Sequence, residues 1–220
     1  KDMDICGEII LVPNCNPIGT NIKAGEYTLG RFDPVNGTNW NRGYFFDKGA
    51  VEHFAKTVTR EESIDGIKQR FRAHLSNAID NKLAEPWGLG LAQQLNLKLQ
   101  QMAINADLVL DLHNGPVSTR HVYIPEYAKD SAKLFNIPHC IFIPNVFAGA
   151  LDEATFCPWW TLQESIKSNL EREISFNVEA FTLEMGSQEV IDFNEGNIDA
   201  TSILSYLNAK GVLHECDIKP

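Results

Sequence analysis

Apolar residues at Ile64, Ile67, Phe71, Leu75, Ile79 and Leu83 recur at three- and four-residue steps, the stripe of an amphipathic helix between Arg60 and Leu83. After a break at Pro86-Trp87-Gly88 the same step returns at Leu91, Leu95, Leu99 and Met102, which predicts a second helix with those leucines on its inner face. Other apolar runs are short and continuous. Glu8-Ile9-Ile10-Leu11-Val12-Pro13, Leu108-Val109-Leu110, Cys140-Ile141-Phe142-Ile143 and Ala180-Phe181-Thr182-Leu183 have the length of buried strands. The first is closed by Pro13-Asn14-Cys15-Asn16-Pro17, where proline removes ladder donors. A last helix is predicted around Ile198 to Lys210, with Asp199 near its start and Asn208-Ala209-Lys210-Gly211 as its stop. Strands alternating with helices predict an α/β fold, a mostly parallel or mixed sheet covered on both faces. A polar stretch from about Ile18 to Lys48 has no periodicity. A loop of that length usually serves binding or catalysis.

The 220 residues and 44% hydrophobic content suffice for one domain with a substantial core. A formal charge of -10 without any basic cluster argues against a nucleic-acid partner, because phosphate binding needs grouped Lys and Arg. An anionic substrate would have to be held by a few well-placed arginines. The five cysteines (Cys6, Cys15, Cys140, Cys157, Cys216) are odd in number, scattered and without a C-x-x-C pair, which argues against a disulfide framework or a cysteine zinc site. A reducing, cytoplasmic setting is the default expectation. No apolar run approaches the roughly 20 residues of a membrane span. Asn36-Gly37-Thr38 fits a glycosylation acceptor, but Asn-Gly is first a turn. The chain opens at Lys1 without an initiator Met, and we expect a piece of a longer polypeptide.

Three constellations carry polar chemistry. Asp111-Leu112-His113-Asn114-Gly115 ends the Leu108 strand, and the carboxyl ends of strands in an open α/β sheet face the ligand crevice. There His113 is either a metal ligand or acid/base group, or a histidine bonded to a neighbour; Asp111 is placed to orient its ring and Asn114 adds an amide. Asn39-Trp40-Asn41-Arg42, with Gly30-Arg31-Phe32 before it, offers guanidinium forks and amides able to clamp a carboxylate, against the alternative of solvated loop charges. Phe181-Thr182-Leu183-Glu184-Met185-Gly186 puts a carboxylate at a strand end, where partly apolar surroundings would raise its pKa towards that of a general base, against a solvated Glu. Gly88-x-Gly90 lacks the third glycine of a dinucleotide loop, and no Walker loop, G-x-S-x-G or H-E-x-x-H occurs. Arg120, His121 and Arg172 are open as cleft or surface residues. His139-Cys140 reads as core, and His53 and His74 fall in or near helices.

In this order the three constellations resemble the succinylglutamate desuccinylase/aspartoacylase family of zinc carboxypeptidase-like amidohydrolases. The residues that carry the resemblance are the strand and N-P turn of Ile9 to Pro17, the N-x-N-R of Asn39 to Arg42, the D-x-H-N of Asp111 to Asn114 and the E-x-G of Glu184 to Gly186. It spans nearly the whole chain and implies a zinc-carboxypeptidase-like mixed β-sheet flanked by helices on both faces. It further implies that His113 is a zinc ligand, Glu184 the base acting on water, Arg31 the stabiliser of the oxyanion, and Asn41, Arg42 and Asn114 the binders of a small carboxylate-bearing substrate. One Zn2+ is the implied cofactor. The family's H-x-x-E pair of ligands precedes the Glu8 run, and no histidine in this chain has a Glu three residues later; His214-Glu215-Cys216-Asp217 comes nearest. One histidine cannot hold zinc alone. The expectation is a single catalytic-type domain over 1–220, truncated at the N-terminus so that the H-x-x-E segment is missing, and lacking a β-rich C-terminal domain. The implied activity is amide hydrolysis in a small N-acyl amino acid, with a peptide-directed metallocarboxypeptidase or a metal-free carboxylate-binding domain as alternatives.

Overall fold

A computed structural model describes residues 4–25, 27–28 and 30–214. Lys1 and the Glu215 to Asp217 segment, with Cys216, lie outside the described residues. Four strands make the central sheet in the order β4-β7-β5-β6: β4 (Leu108–Gly115), β5 (His121–Pro125), β6 (Cys140–Ile143) and β7 (Glu179–Ser187). β4 runs parallel to β7, β5 antiparallel to β7, and β6 parallel to β5, so the sheet is mixed. Short antiparallel pairs join β1 (Asp4–Ile5) to β8 (Leu213–His214), and β2 (Lys23–Ala24) to β3 (Tyr27–Thr28).

The helices are α1 (Lys48–Ala55), α2 (Ile64–Leu83), α3 (Leu91–Ala103), α4 (Leu151–Leu170) and α5 (Phe193–Ala209). α2 forms where the apolar stripe predicts: Ser63 caps it by accepting from the Gly66 amide, and Ile67, Phe71 and Ile79 are buried. Ile67 and Phe71 pack with Phe54 of α1 and Trp159 and Leu162 of α4, and Ile79 packs with Leu97 and Ile104. α5 begins earlier than predicted, at Phe193 behind the cap residue Asp192, and stops where Gly211 takes a φ of +75°.

Strand alternation divides the sheet's two faces. Phe181 and Leu183 of β7, with Val122 and Ile124 of β5, pack under α5 and the 3-10 segment Glu126–Leu134 with Phe135 and Tyr206. On the other face Ala180 and Val109 pack against Phe156 and Cys157 of α4. Helices therefore cover both faces, as the alternation of elements requires.

Two expectations are corrected. The run from Glu8 to Val12 forms no strand: Ile9, Ile10 and Leu11 are 45%, 63% and 77% exposed, since no described strand lies beside the run to share a ladder. α3 also turns differently from its leucine stripe. Leu91 and Met102 are exposed, and the buried face is Ala92, Asn96, Leu97, Gln100 and Ala103. Among the described residues no helix is long and apolar enough to cross a membrane.

Candidate functional site

Register brings the strand-end polar residues together. His113 of β4 pairs with Glu184 of β7, and Glu184 pairs in turn with His121 of β5. Residues directly paired across a sheet share a face, so His113, Glu184 and His121 form one row. Asp111, Thr182 and Tyr123 form the row below it. Both rows continue the face that α4 covers at Val109 and Ala180 and emerge beyond it at the carboxyl ends of β4 and β7. The ladder then shifts, Gly115 pairing with Ser187, and Gly186 takes a φ of +115°. A bulge of this kind bends the strand and ends regular pairing beside Glu184. Asn114 donates to the Gly186 carbonyl at 3.5 Å across the shift.

The His113 ring is held from one side. Its Nε2 lies 2.8 Å from Asp111 Oδ2 and 3.2 Å from Asn41 Nδ2. A single nitrogen cannot serve both partners, and the shorter contact to a carboxylate puts the proton on Nε2. Burial works against the His113 cation, but the hydrogen bond to Asp111 and the charges of Asp111, Glu184 and Asp152 outweigh it and hold the pKa above the ordinary value. No hydrogen bond to Nδ1 occurs among the described residues. A carboxylate on one ring nitrogen with the other left open is the arrangement common to metal-bound histidines.

Asp152, at the second position of α4, is 3% exposed. Burial pushes its pKa up to about 6, partly opposed by hydrogen bonds from the Glu153 amide at 2.9 Å and from Thr182, while the charge of Asp111 raises it further. Burial first and the Asp111 charge second also raise the Tyr44 hydroxyl and the Cys15 thiol. Acidic groups, Asp111, Glu184 and Asp152, therefore surround His113. Sequence reasoning missed Asp152 and Tyr44, which carry no local motif, and gave no role to Thr182 and Cys15 within the motifs that contain them.

The Asn39 to Arg42 segment closes a hairpin. Asp33 and Thr38 share a backbone bond, Phe32 bridges Asn39, and the Asn36-Gly37 turn predicted from sequence is present, with Gly37 at a φ of +73°. Asn39 Oδ1 accepts from the Asn41 amide at 3.0 Å, Trp40 is buried, and Asn41 Oδ1 accepts from the Leu151 amide at 3.3 Å. These contacts carry Asn41 to His113. Arg42 is exposed beside it, its Nη1 donating to the Asn41 carbonyl at 2.5 Å.

The structure thus gathers His113, Glu184, Asp111 and Asn41, with Arg42 and Asn114 at the edge. The Arg31 guanidinium lies 5.7 Å over the Phe32 ring, and no hydrogen bond or ion pair joins it to His113, Asn41 or Glu184 among the described residues. Arg120 is engaged elsewhere, its Nε donating to Asp199 at 2.6 Å and its Nη2 pairing with Glu195 on α5. Arg172 bonds the Thr59 carbonyl at 3.3 Å. His121 does line the site, with Nδ1 2.9 Å from the Thr119 carbonyl. No group of three or more His, Cys, Asp or Glu side chains that could hold a metal ion occurs among the described residues. The described residues alone do not make a zinc site.

A mixed α/β sheet covered by helices on both faces carries a carboxylate-oriented histidine and a glutamate on adjoining strand ends. The chain belongs to the succinylglutamate desuccinylase/aspartoacylase family, whose catalytic-domain model matches residues 1–209. Crystal structures of two proteins assigned to this family are similar to it. The one from Shewanella frigidimarina NCIMB 400 superposes with a TM-score of 0.86 at 45% identity, over 91% of this chain and 54% of that one. The one from Shewanella amazonensis SB2B gives 0.87 at 46% identity, over 94% of this chain and 56% of that one. The chain spans about half the length of each. No curated protein matches it.

Proposed function

We propose that this chain carries the catalytic centre of a deacylase that hydrolyses the amide bond of a small N-acyl amino acid or similar carboxylate-bearing substrate. The observation that supports this most is the row of His113 and Glu184 on paired strands, with Asp111 and Asn41 on the same ring nitrogen. In this reading Glu184 takes a proton from the attacking water and passes it to the leaving amine. Arg31 stabilises the oxyanion that develops on the scissile carbonyl, a contact whose loss typically costs on the order of 100- to 1000-fold in rate. Arg42 and Asn41 fix the substrate carboxylate, the guanidinium supplying charge and the amide orientation, and Asn114 supplies a further polar contact at the end of β4.

Zinc dependence belongs to the same proposal, with His113 as one ligand through Nδ1 and the others from beyond the described residues. Such an ion supplies Lewis acidity towards water and a carbonyl oxygen. A reducing, cytoplasmic setting belongs to the same reading, argued from five scattered cysteines without a C-x-x-C pair.

The test is release of the free amine from a panel of N-acyl amino acids and their carboxamides. Arg42→Ala should raise KM about tenfold or more for the acids and leave kcat little changed. An equal loss on acids and carboxamides would contradict the carboxylate clamp.

A further inference from the structure

The inner face of α3 is built around two amides. Asn96 and Gln100 are one helical turn apart and 1% and 2% exposed, while Leu91 on the same helix is 56% exposed. Both amides reach one loop more than fifty residues away in sequence. Asn96 Nδ2 donates to the Arg42 carbonyl at 2.6 Å. Gln100 accepts from the Phe45 amide through Oε1 at 2.9 Å and donates to the Phe45 carbonyl through Nε2 at 2.6 Å, a two-point clamp on one peptide residue. Burying amides where leucines were at hand sacrifices apolar burial, and it is sustained only because these bonds are made.

The opposite side of the same loop is braced by the start of α4. Glu153 Oε2 accepts from the Ala148 and Ala150 amides at 2.6 and 3.1 Å, and the turn it shapes presents the Gly149 carbonyl to the Tyr44 amide at 3.4 Å and the Leu151 amide to Asn41. Between the two braces Gly43 turns at a φ of +84°, Asn41 reaches the His113 ring, and Arg42 follows it with Nη1 on the Asn41 carbonyl.

We propose that Asn96 and Gln100 are positioning residues for substrate selection: by fixing the backbone at Arg42 and Phe45 they set the direction of the Asn41 and Arg42 side chains, and so the preference for a carboxylate. This rests on the reading of Asn41 and Arg42 as the carboxylate clamp.

The test compares binding of levulinate, the non-hydrolysable ketone isostere of N-acetylglycine, with binding of its carboxamide, by ligand-observed NMR on the full chain. The wild type should prefer the acid, and Arg42→Ala should erase that preference. Asn96→Ala and Gln100→Ala should each weaken levulinate about tenfold and leave the carboxamide unchanged. Should Asn96→Ala melt below the assay temperature, Asn96→Ser, which keeps a donor and a smaller cavity, is read in the same way. A preference lost in Arg42→Ala but kept in the α3 variants overturns the positioning role alone, as does equal weakening of both ligands, the mark of a merely structural role. No preference in the wild type, or one that survives Arg42→Ala, overturns the carboxylate clamp itself.

Discussion

Asp152 shows how the site's electrostatics weigh on the fold. Its folded pKa of about 6 stands above the ordinary 3.8 chiefly because the charged form is buried. Between those two values the folded chain binds more protons than the unfolded one, so stability falls as pH rises and the full penalty is present above about pH 6. About two pKa units correspond to on the order of 2–3 kcal/mol. Asp152→Asn keeps the shape and an acceptor for the Glu153 amide without the charge. Its melting temperature should exceed the wild type by several degrees at pH 7.5, and the two should converge near pH 4. A gap that stays constant across this range would contradict the assignment. His113 runs the other way. With its folded pKa raised, its contribution is fully present below the unfolded pKa and lost as pH rises through the folded one.

At the scale of elements, the parts legible in sequence were those whose periodicity was unopposed. α2 carries a clean stripe and formed within its predicted span, and β4, β6 and β7 followed their apolar runs. The Glu8 run misled because apolar content specifies a strand only where a neighbour exists to complete its ladder. α3 was legible as a helix but not in its rotation, which is set by hydrogen bonds from Asn96 and Gln100 that no hydrophobic pattern encodes. α4 went unread because it carries Pro158 within it, a residue that usually breaks a helix, and Ala154 to Trp159 are all buried, so no amphipathic period survives. β5 is only five residues long, and its alternation shows as buried Val122 and Ile124.

Away from the site, one carboxylate ties the C-terminal end of α5 to the sheet. Glu179, at the start of β7, accepts from Ser131 at 3.0 Å, Tyr206 at 2.8 Å and Lys210 at 2.6 Å. Glu179→Ala leaves three polar groups without their shared acceptor, two of them on or next to α5. It should cost about 2–4 kcal/mol in urea unfolding and speed amide exchange in α5 ahead of α2. Unchanged exchange in α5 would show that apolar packing of Tyr206 against Phe135 and Phe181 suffices to hold the helix.

For the whole molecule, three motifs far apart in sequence acquire meaning through sheet order. His113 and Glu184 are 71 positions apart but are direct neighbours because β7 inserts beside β4, and Asn41 reaches them through a loop held between α3 and α4. The motif residues were legible one by one. Their acidic surroundings were not, since Asp152, Tyr44 and Cys15 meet only in three dimensions. The claim on which the functional reading depends is that Glu184 handles the proton in amide hydrolysis. The most direct measurement is the rate of amine release from N-acyl amino acids by the wild type and by Glu184→Gln, with melting temperature as a check on the fold. The account predicts a drop of at least about 100-fold with the fold retained; an undiminished rate in Glu184→Gln would contradict it.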